Sequence, residues 1–301
     1  MSPALGALLE GIIDYAGLFP PASLNMPAAV AHYRRHLEED MAVMLATFVC
    51  PASQLEALAK AAPGADWKLT ILATGEATLA SLKQDVAAIE ALRQAGQRFE
   101  PHALELRFPT SLYRDLSGLA EFAGGVEELV SGLSPRKVFY EIGWMDPWPD
   151  VLPILGRVSN RVARGIKIRT GGVTPDAFPS PEQVAAFMVT AVETGVSWKA
   201  TAGLHHPVRR FDESVGTKMH GFLNLFCGAA LAYAGYGKDT LVSILHEEDA
   251  AEFKFSGTSF IWRGHALDLE LLARTRSEFA FSFGSCSFIE PVEDLRALGY
   301  L

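Results

Sequence analysis

The chain has 301 residues, 49% of them hydrophobic, and a formal net charge of −9. That length and apolar content allow a sizeable core, and the acidic balance with no basic run argues against a nucleic-acid partner. Three cysteines (Cys50, Cys227 and Cys286) make no disulfide framework, the opening MSPALGALLEGIIDYAG lacks the basic start and long apolar core of a signal peptide, and the apolar run Phe222–Ala234 is too short to span a bilayer, so a cytoplasmic protein with no membrane partner is expected. Taken in order, the first predicted strand is Ile12–Ala16, followed by a helix over Met26–Leu37. Strands over Val43–Val49, Lys68–Ala73 and Ala103–Phe108 alternate with helices over Gln54–Ala61, Ala77–Ala95 and Leu116–Leu133, Gly96 marking a helix end. Lys137–Ile142 reads as strand, Pro149–Ser159 as helix, Gly165–Arg169 as strand, Pro181–Thr194 as helix and Val196–Ala200 as strand. Phe279–Phe283 is the last predicted strand and Val292–Leu298 the closing helix.

About eight strands alternating with helices is the pattern of an α/β fold, a (β/α)8 TIM barrel of one domain over residues 1–301. The rhythm breaks between 208 and 278, where helices near Lys218–Tyr233, Thr240–Glu248 and Leu267–Ser277 read as a helical insertion before the last strand, packed over the barrel rim. A doubly wound open sheet is the alternative, but no Gly-rich dinucleotide fingerprint follows the first strand.

In a barrel, reactive groups sit at the C-terminal ends of the strands. Those ends carry Asp14, Glu105 with Arg107, Glu141, Lys167 with Arg169, Lys199 with Thr201, and Ser285 with Ser287. Side chains alternate along a strand, so Lys167 and Arg169 share a face, as do Lys199 and Thr201, and Glu105 and Arg107. Charges in such short apolar strands are expected to point into the barrel mouth. If the strands GIKIRTGG and VSWKATAG are parallel neighbours, Lys167 and Lys199 face each other. Two ammonium groups that close lower one another's pKa, and a lysine that is partly neutral near pH 7 is a carbonyl nucleophile. The bland alternative is a structural ion-pair network inside the barrel. His205 and His206, with Asp212, Glu213 and His220, invite a metal reading, yet adjacent histidines point opposite ways on a strand and no His-x-x-x-His spacing accompanies them; no metal ligand is assigned. Cys50 and Cys286 are expected to be buried and inert, and Trp144, Trp148 and Trp262 to be packing residues.

These motifs bring a family into view. IKIRTGG resembles the strand of class I aldolases of the 2-deoxyribose-5-phosphate aldolase type that bears the Schiff-base lysine before a Thr-Gly turn, and WKATAG resembles the next strand, whose lysine tunes the first. IDYAGLFPPAS is similar to the family's opening segment, RKVFYE to its fifth strand, and FGSCS to the last turn, which holds a phosphate. The resemblance implies that Lys167 forms an imine with a small carbonyl substrate, that Lys199 keeps it deprotonated, and that Glu105 relays protons where the family has an aspartate. It further implies an anion pocket lined by Thr170, Gly171, Gly203, Gly284, Ser285 and Ser287. Three departures stand out. Arg169 intrudes after the lysine, suiting carboxylate or phosphate bidentately; Phe19 stands where the family has a lysine; and AGLHHP replaces the Gly-Gly after the second lysine strand. The expectation is a lyase of aldolase type in carbohydrate metabolism that needs no cofactor. Its substrate is small and anionic, phosphorylated or carboxylated, with Asp14, Arg107, Glu141, Arg169, Thr201 and His205 joining the pocket, and self-association is left open. The alternatives are metal-assisted hydrolysis or lyase chemistry through His205, His206 and Glu141, and a non-catalytic barrel that binds an anionic metabolite.

Overall fold

The computed structural model describes every residue except 108, 145–146 and 156–161, and the side chain of Glu76. Eight parallel strands close into a barrel: β1 (Ile13–Tyr15), β2 (Leu45–Pro51), β3 (Lys68–Glu76), β4 (Glu100–Arg107), β5 (Lys137–Ile142), β6 (Ala163–Arg169), β7 (Ser197–Thr201) and β8 (Ala280–Ser285). Each strand pairs with its neighbours in chain order, and β8 closes the ring against β1, with Ile13, Asp14 and Tyr15 opposite Phe283, Gly284 and Ser285. The expected (β/α)8 architecture is the observed one, and strand and helix limits differ from expectation by a few residues at most. Of the expected helix over Pro149–Ser159, Trp148–Leu155 is helical and the remainder lies outside the described residues, as does Phe108 of the expected fourth strand.

Local sequence explains the helices. Asn25 accepts the Ala28 N–H at 3.0 Å to open Met26–His36, and Thr78 with Ser81 forms a reciprocal cap on Leu79–Gln94. Ser180 and Gln183 do the same for Pro181–Glu193, with proline in the first turn and Gly195 at φ +67° after the end. The outward faces of the strands are apolar and pack on these helices. Trp198 of β7 meets Phe187 edge-on at 5.8 Å and stacks on Phe226 at 5.9 Å, and Phe283 of β8 stacks on Phe222 at 5.5 Å. The inward faces carry the charged residues Glu105, Glu141, Lys167 and Lys199 alongside Phe139 and Phe281, which sets up the site.

The segment before β8 departs from expectation. Lys218 lies not in a helix but in a short hairpin of Arg210–Asp212 against Thr217–Met219, and the helix begins at Phe222. Phe222–Tyr233 is the barrel helix that follows β7, buried along its length, and Lys238–His246 packs outside it. A three-stranded antiparallel sheet then forms from Lys254–Phe255, Ser259–Trp262 and His265–Asp268, which sequence periodicity did not reveal. This sheet and the helix Leu269–Arg274 pack on an N-terminal helix, Pro3–Leu9, which was also not foreseen. Ala4 donates its N–H to the Ser256 carbonyl at 3.2 Å. This part of the 208–278 segment thus packs beside the start of β1, whereas its Arg210–Met219 hairpin lies near the loop after β6, Gly216 facing Pro175. The apolar residues Phe260, Leu267 and Leu272 of that sheet and helix are buried on the side of the helix that precedes β1. Among the described residues no helix is long and apolar enough to cross a membrane.

Candidate active site

The register of β6 on β7 sets Lys167 directly beside Lys199, and that of β5 on β6 sets Glu141 beside Lys167. β4 delivers Glu105 and β1 delivers Asp14 to the same interior. The result is a chain of alternating charges across the barrel. Lys167 Nζ lies 2.9 Å from a Glu141 oxygen and donates to Glu105 Oε2 at 2.5 Å; Lys199 Nζ lies 2.5 Å from Glu105 Oε1 and also donates to Asp14. Glu105 thus bridges both ammonium groups. Asp14 accepts further from Thr47 at 2.5 Å and from Ser282, and Thr47 is 2.7 Å from Thr70. At the mouth, Arg169 Nη1 approaches the other Glu141 oxygen at 3.6 Å.

The electrostatics differ from the expectation of two mutually depressed amines. Burial by itself pulls Lys167 down, but Glu105 and Glu141 outweigh it and hold the lysine above its ordinary value. Burial likewise opposes the charge on Lys199, and Asp14 and Glu105 reverse it, so Lys199 is also raised. Burial raises Glu105, yet the two lysines bring it down to about 2. Glu141 is lowered on balance by Lys167 and Arg169 against its own burial. The physical reason is the carboxylate between the amines: the lysines share a counter-ion instead of repelling across a gap. In this resting arrangement both lysines are cations.

A cavity of about 430 Å³ opens at the C-terminal ends of the strands, and Lys167 lies at its base. Glu105, Arg107, Glu141, Arg169, Thr201, Gly203, His205 and Gly284 line it, as expected from the sequence. Phe19, Pro20 and Pro21, from the loop after β1, supply an apolar wall, with Cys286 beside them. The remaining expected pocket residues lie elsewhere. Asp14 is held under Lys199, where it serves as that lysine's counter-ion and faces the opposite end of the barrel. Thr170 is fully buried and its hydroxyl donates to the Ala202 carbonyl at 2.7 Å, clasping the β6 and β7 loops. Gly171 serves the same clasp: a Cβ there would sit 2.8 Å from the Gly203 Cα. The Ser285 hydroxyl donates to the Ser287 carbonyl at 2.7 Å, and Ser287 Oγ accepts the Glu290 N–H at 3.2 Å. Those two hydroxyl groups build the last turn and do not line the mouth.

The histidines separate as expected for neighbours. His205 faces the mouth with Nδ1 2.8 Å from Glu290, whereas the His206 nitrogens lie 2.6 Å from Asp294 and 3.5 Å from Asp212. His205, His206 and Glu141 therefore do not converge, and among the described residues no group of three or more His, Cys, Asp or Glu side chains is arranged to hold a metal ion. Cys50 is buried and Cys286 partly so, and burial raises both thiols, Cys50 to about 12. Trp144, Trp148 and Phe187 form an edge-to-face cluster on the outer side of the barrel, and Trp262 is buried beside Glu247. Thr47, Thr70 and Ser282 were missed by sequence reasoning; each is a hydroxyl residue inside an apolar strand, which is the signal that marks an inward-facing position. No protein-family model, no curated protein and no solved structure matches this chain.

Proposed function

We propose that the protein is a carbon–carbon lyase of class I aldolase type, with Lys167 as the imine-forming residue for a small anionic carbonyl compound. The observation that carries this reading is a single one: Lys167 Nζ sits at the base of an open cavity in contact with two carboxylates, Glu105 and Glu141, that are placed to take its proton. Neutral Lys167 attacks the carbonyl carbon, its proton having passed to a carboxylate. The carbinolamine then loses its hydroxyl as water, using a returned proton, and leaves an iminium. That cation is an electron sink for the pair released when the adjacent C–C bond breaks. Lys199, bound to Glu105 and Asp14, anchors the Glu105 carboxylate that faces Lys167. Arg107 and Arg169 supply the rim with cationic forks for a carboxylate or phosphate on the substrate.

The test is borohydride reduction in the presence of a panel of aldehydes, ketones and 2-oxo acids, read by peptide mass spectrometry. A covalent adduct at Lys167, absent in Lys167→Met, is expected; a folded protein that traps no carbonyl at this position refutes the assignment. The complete pairing of both lysines supports a second reading, a barrel that binds an anionic metabolite without chemistry. Saturable ligand binding without trapping or turnover is its signature.

A further inference from the structure

The interior of the barrel is open at both ends. Below Asp14 and Lys199, at the N-terminal ends of the strands, lies a second cavity of about 610 Å³. Barrel interiors are ordinarily filled by layers of bulky side chains, and the bottom face serves stability. Here the lowest inward positions are small: Ala103 of β4, Gly165 of β6 and Ser197 of β7. Phe139 lies across Gly165, where a Cβ would come within 2.7 Å of its ring. What borders the space is cationic. Lys137, Arg136 and Arg276 line it along with Lys199, and His102 stands at its edge.

Lys137 is the telling residue. Its ammonium lies 4.0 Å from the centre of the Phe281 ring and donates to Ser197 Oγ at 2.5 Å, with no carboxylate within ion-pair distance among the described residues. Burial lowers it to about 8, with no carboxylate to offset the loss of water. A half-buried lysine facing an open cavity without a counter-ion is short of one negative partner. Arg276 donates to backbone carbonyls, including Leu8 at 2.8 Å, and feels Asp14 and Glu10 only through space. Two carboxylates border the cavity. Asp14 is already engaged by Lys199, Thr47 and Ser282, and Glu10 is exposed.

We propose that this N-terminal cavity is a second binding site, distinct from the mouth, for a small phosphate or phosphate monoester held by Lys137 and Arg136. Phe139 and Phe281 provide apolar lining for the organic part of such an ester. The site does not depend on imine chemistry at Lys167.

Calorimetric titration with inorganic phosphate tests it, using the whole chain in wild-type, Lys137→Met, Arg136→Gln and Arg169→Met forms, with phosphate-soaked crystals to locate the anion. Losing a charge-assisted contact weakens binding by about tenfold or more. A saturable site weakened to that extent by Lys137→Met, weakened by Arg136→Gln and unchanged by Arg169→Met is expected, with phosphate beside Lys137 Nζ. Arg136 is exposed, so its variant carries the test if Lys137→Met fails to fold. Binding that ignores Arg136→Gln, phosphate found only at the mouth, or no saturable binding overturns the proposal. Carbonyl trapping at Lys167 is a separate readout: its failure leaves this site standing, and the reverse holds equally.

Discussion

Glu105 is the keystone of the interior charge chain, and replacing it with glutamine isolates what that chain contributes. The side chain is 5% exposed and lies 2.5 Å from each of two ammonium groups, so Glu105→Gln keeps the shape and removes the shared counter-ion. Its carboxyl is held at about 2 against an ordinary 4.5. At about 1.4 kcal/mol per pH unit, that difference is worth about 3 kcal/mol of folding stability at neutral pH. The figure agrees with the roughly 3–5 kcal/mol lost when one partner of a buried ion pair is removed. The sign follows from the depressed value: the contribution is complete above the unfolded carboxyl's range and fades as pH falls toward the folded value. Linkage gives a gap between wild type and variant of about 3 kcal/mol at pH 7, shrinking to about 2 kcal/mol by pH 3.5. Urea unfolding followed by tryptophan fluorescence, at several pH values, measures it. A gap below about 1 kcal/mol at pH 7, or one that does not change with pH, refutes the view that Glu105 is a charged bridge.

Other substitutions probe separate parts of the fold. His220 is fully buried with Nε2 2.7 Å from the Pro179 carbonyl, and burial pulls it down to about 4. Its neutral form is the folded form, so the wild type loses up to about 3 kcal/mol as pH falls from 6.5 toward 4; in His220→Gln that part of the slope disappears from a pH series of unfolding curves. Gly171→Ala drives a methyl group to 2.5 Å from the Phe178 ring and 2.8 Å from the Gly203 Cα. It should cost about 1–3 kcal/mol, seen as a lower Tm, and an unchanged Tm would show that the two loops do not meet. Arg276→Met withdraws donors from the carbonyls of Leu8, Glu10, Gly11 and Ala280, and a loss of about 3 kcal/mol or more is expected in the same melting assay. Full stability in that variant would mean the tie is dispensable.

The alternation of strands and helices was legible because barrel strands are short apolar runs punctuated by Gly, Pro and Thr. The pairing of Lys167 with Lys199 followed from two such runs joined by one crossover helix. The charge state did not follow. It depends on Glu105, which reaches both lysines across the interior from β4, and on Asp14, which reaches Lys199 because the ring closes through β8 and β1; no local pattern encodes those distances. Charged residues were assigned to the mouth as a class, whereas a strand's side chains are divided between two ends. Lys137 begins β5 and Asp14 sits low in a three-residue strand, so both face downward. The Pro3–Leu9 helix was hidden by its shortness, and the sheet it supports by strands of two to four residues.

The ring is shut by pairs such as Ile13 with Phe283, reinforced where the Arg276 guanidinium grips the Leu8 carbonyl across 268 positions of sequence. Until β8 has emerged from the ribosome, β1 lacks one of its neighbours and the hydroxyl of Ser282 cannot reach Asp14. Nascent chains must therefore carry β1 with one open edge until β8 is made, about 265 residues later. Such late, long-range closure predicts slow maturation and exposure to chaperones during biogenesis.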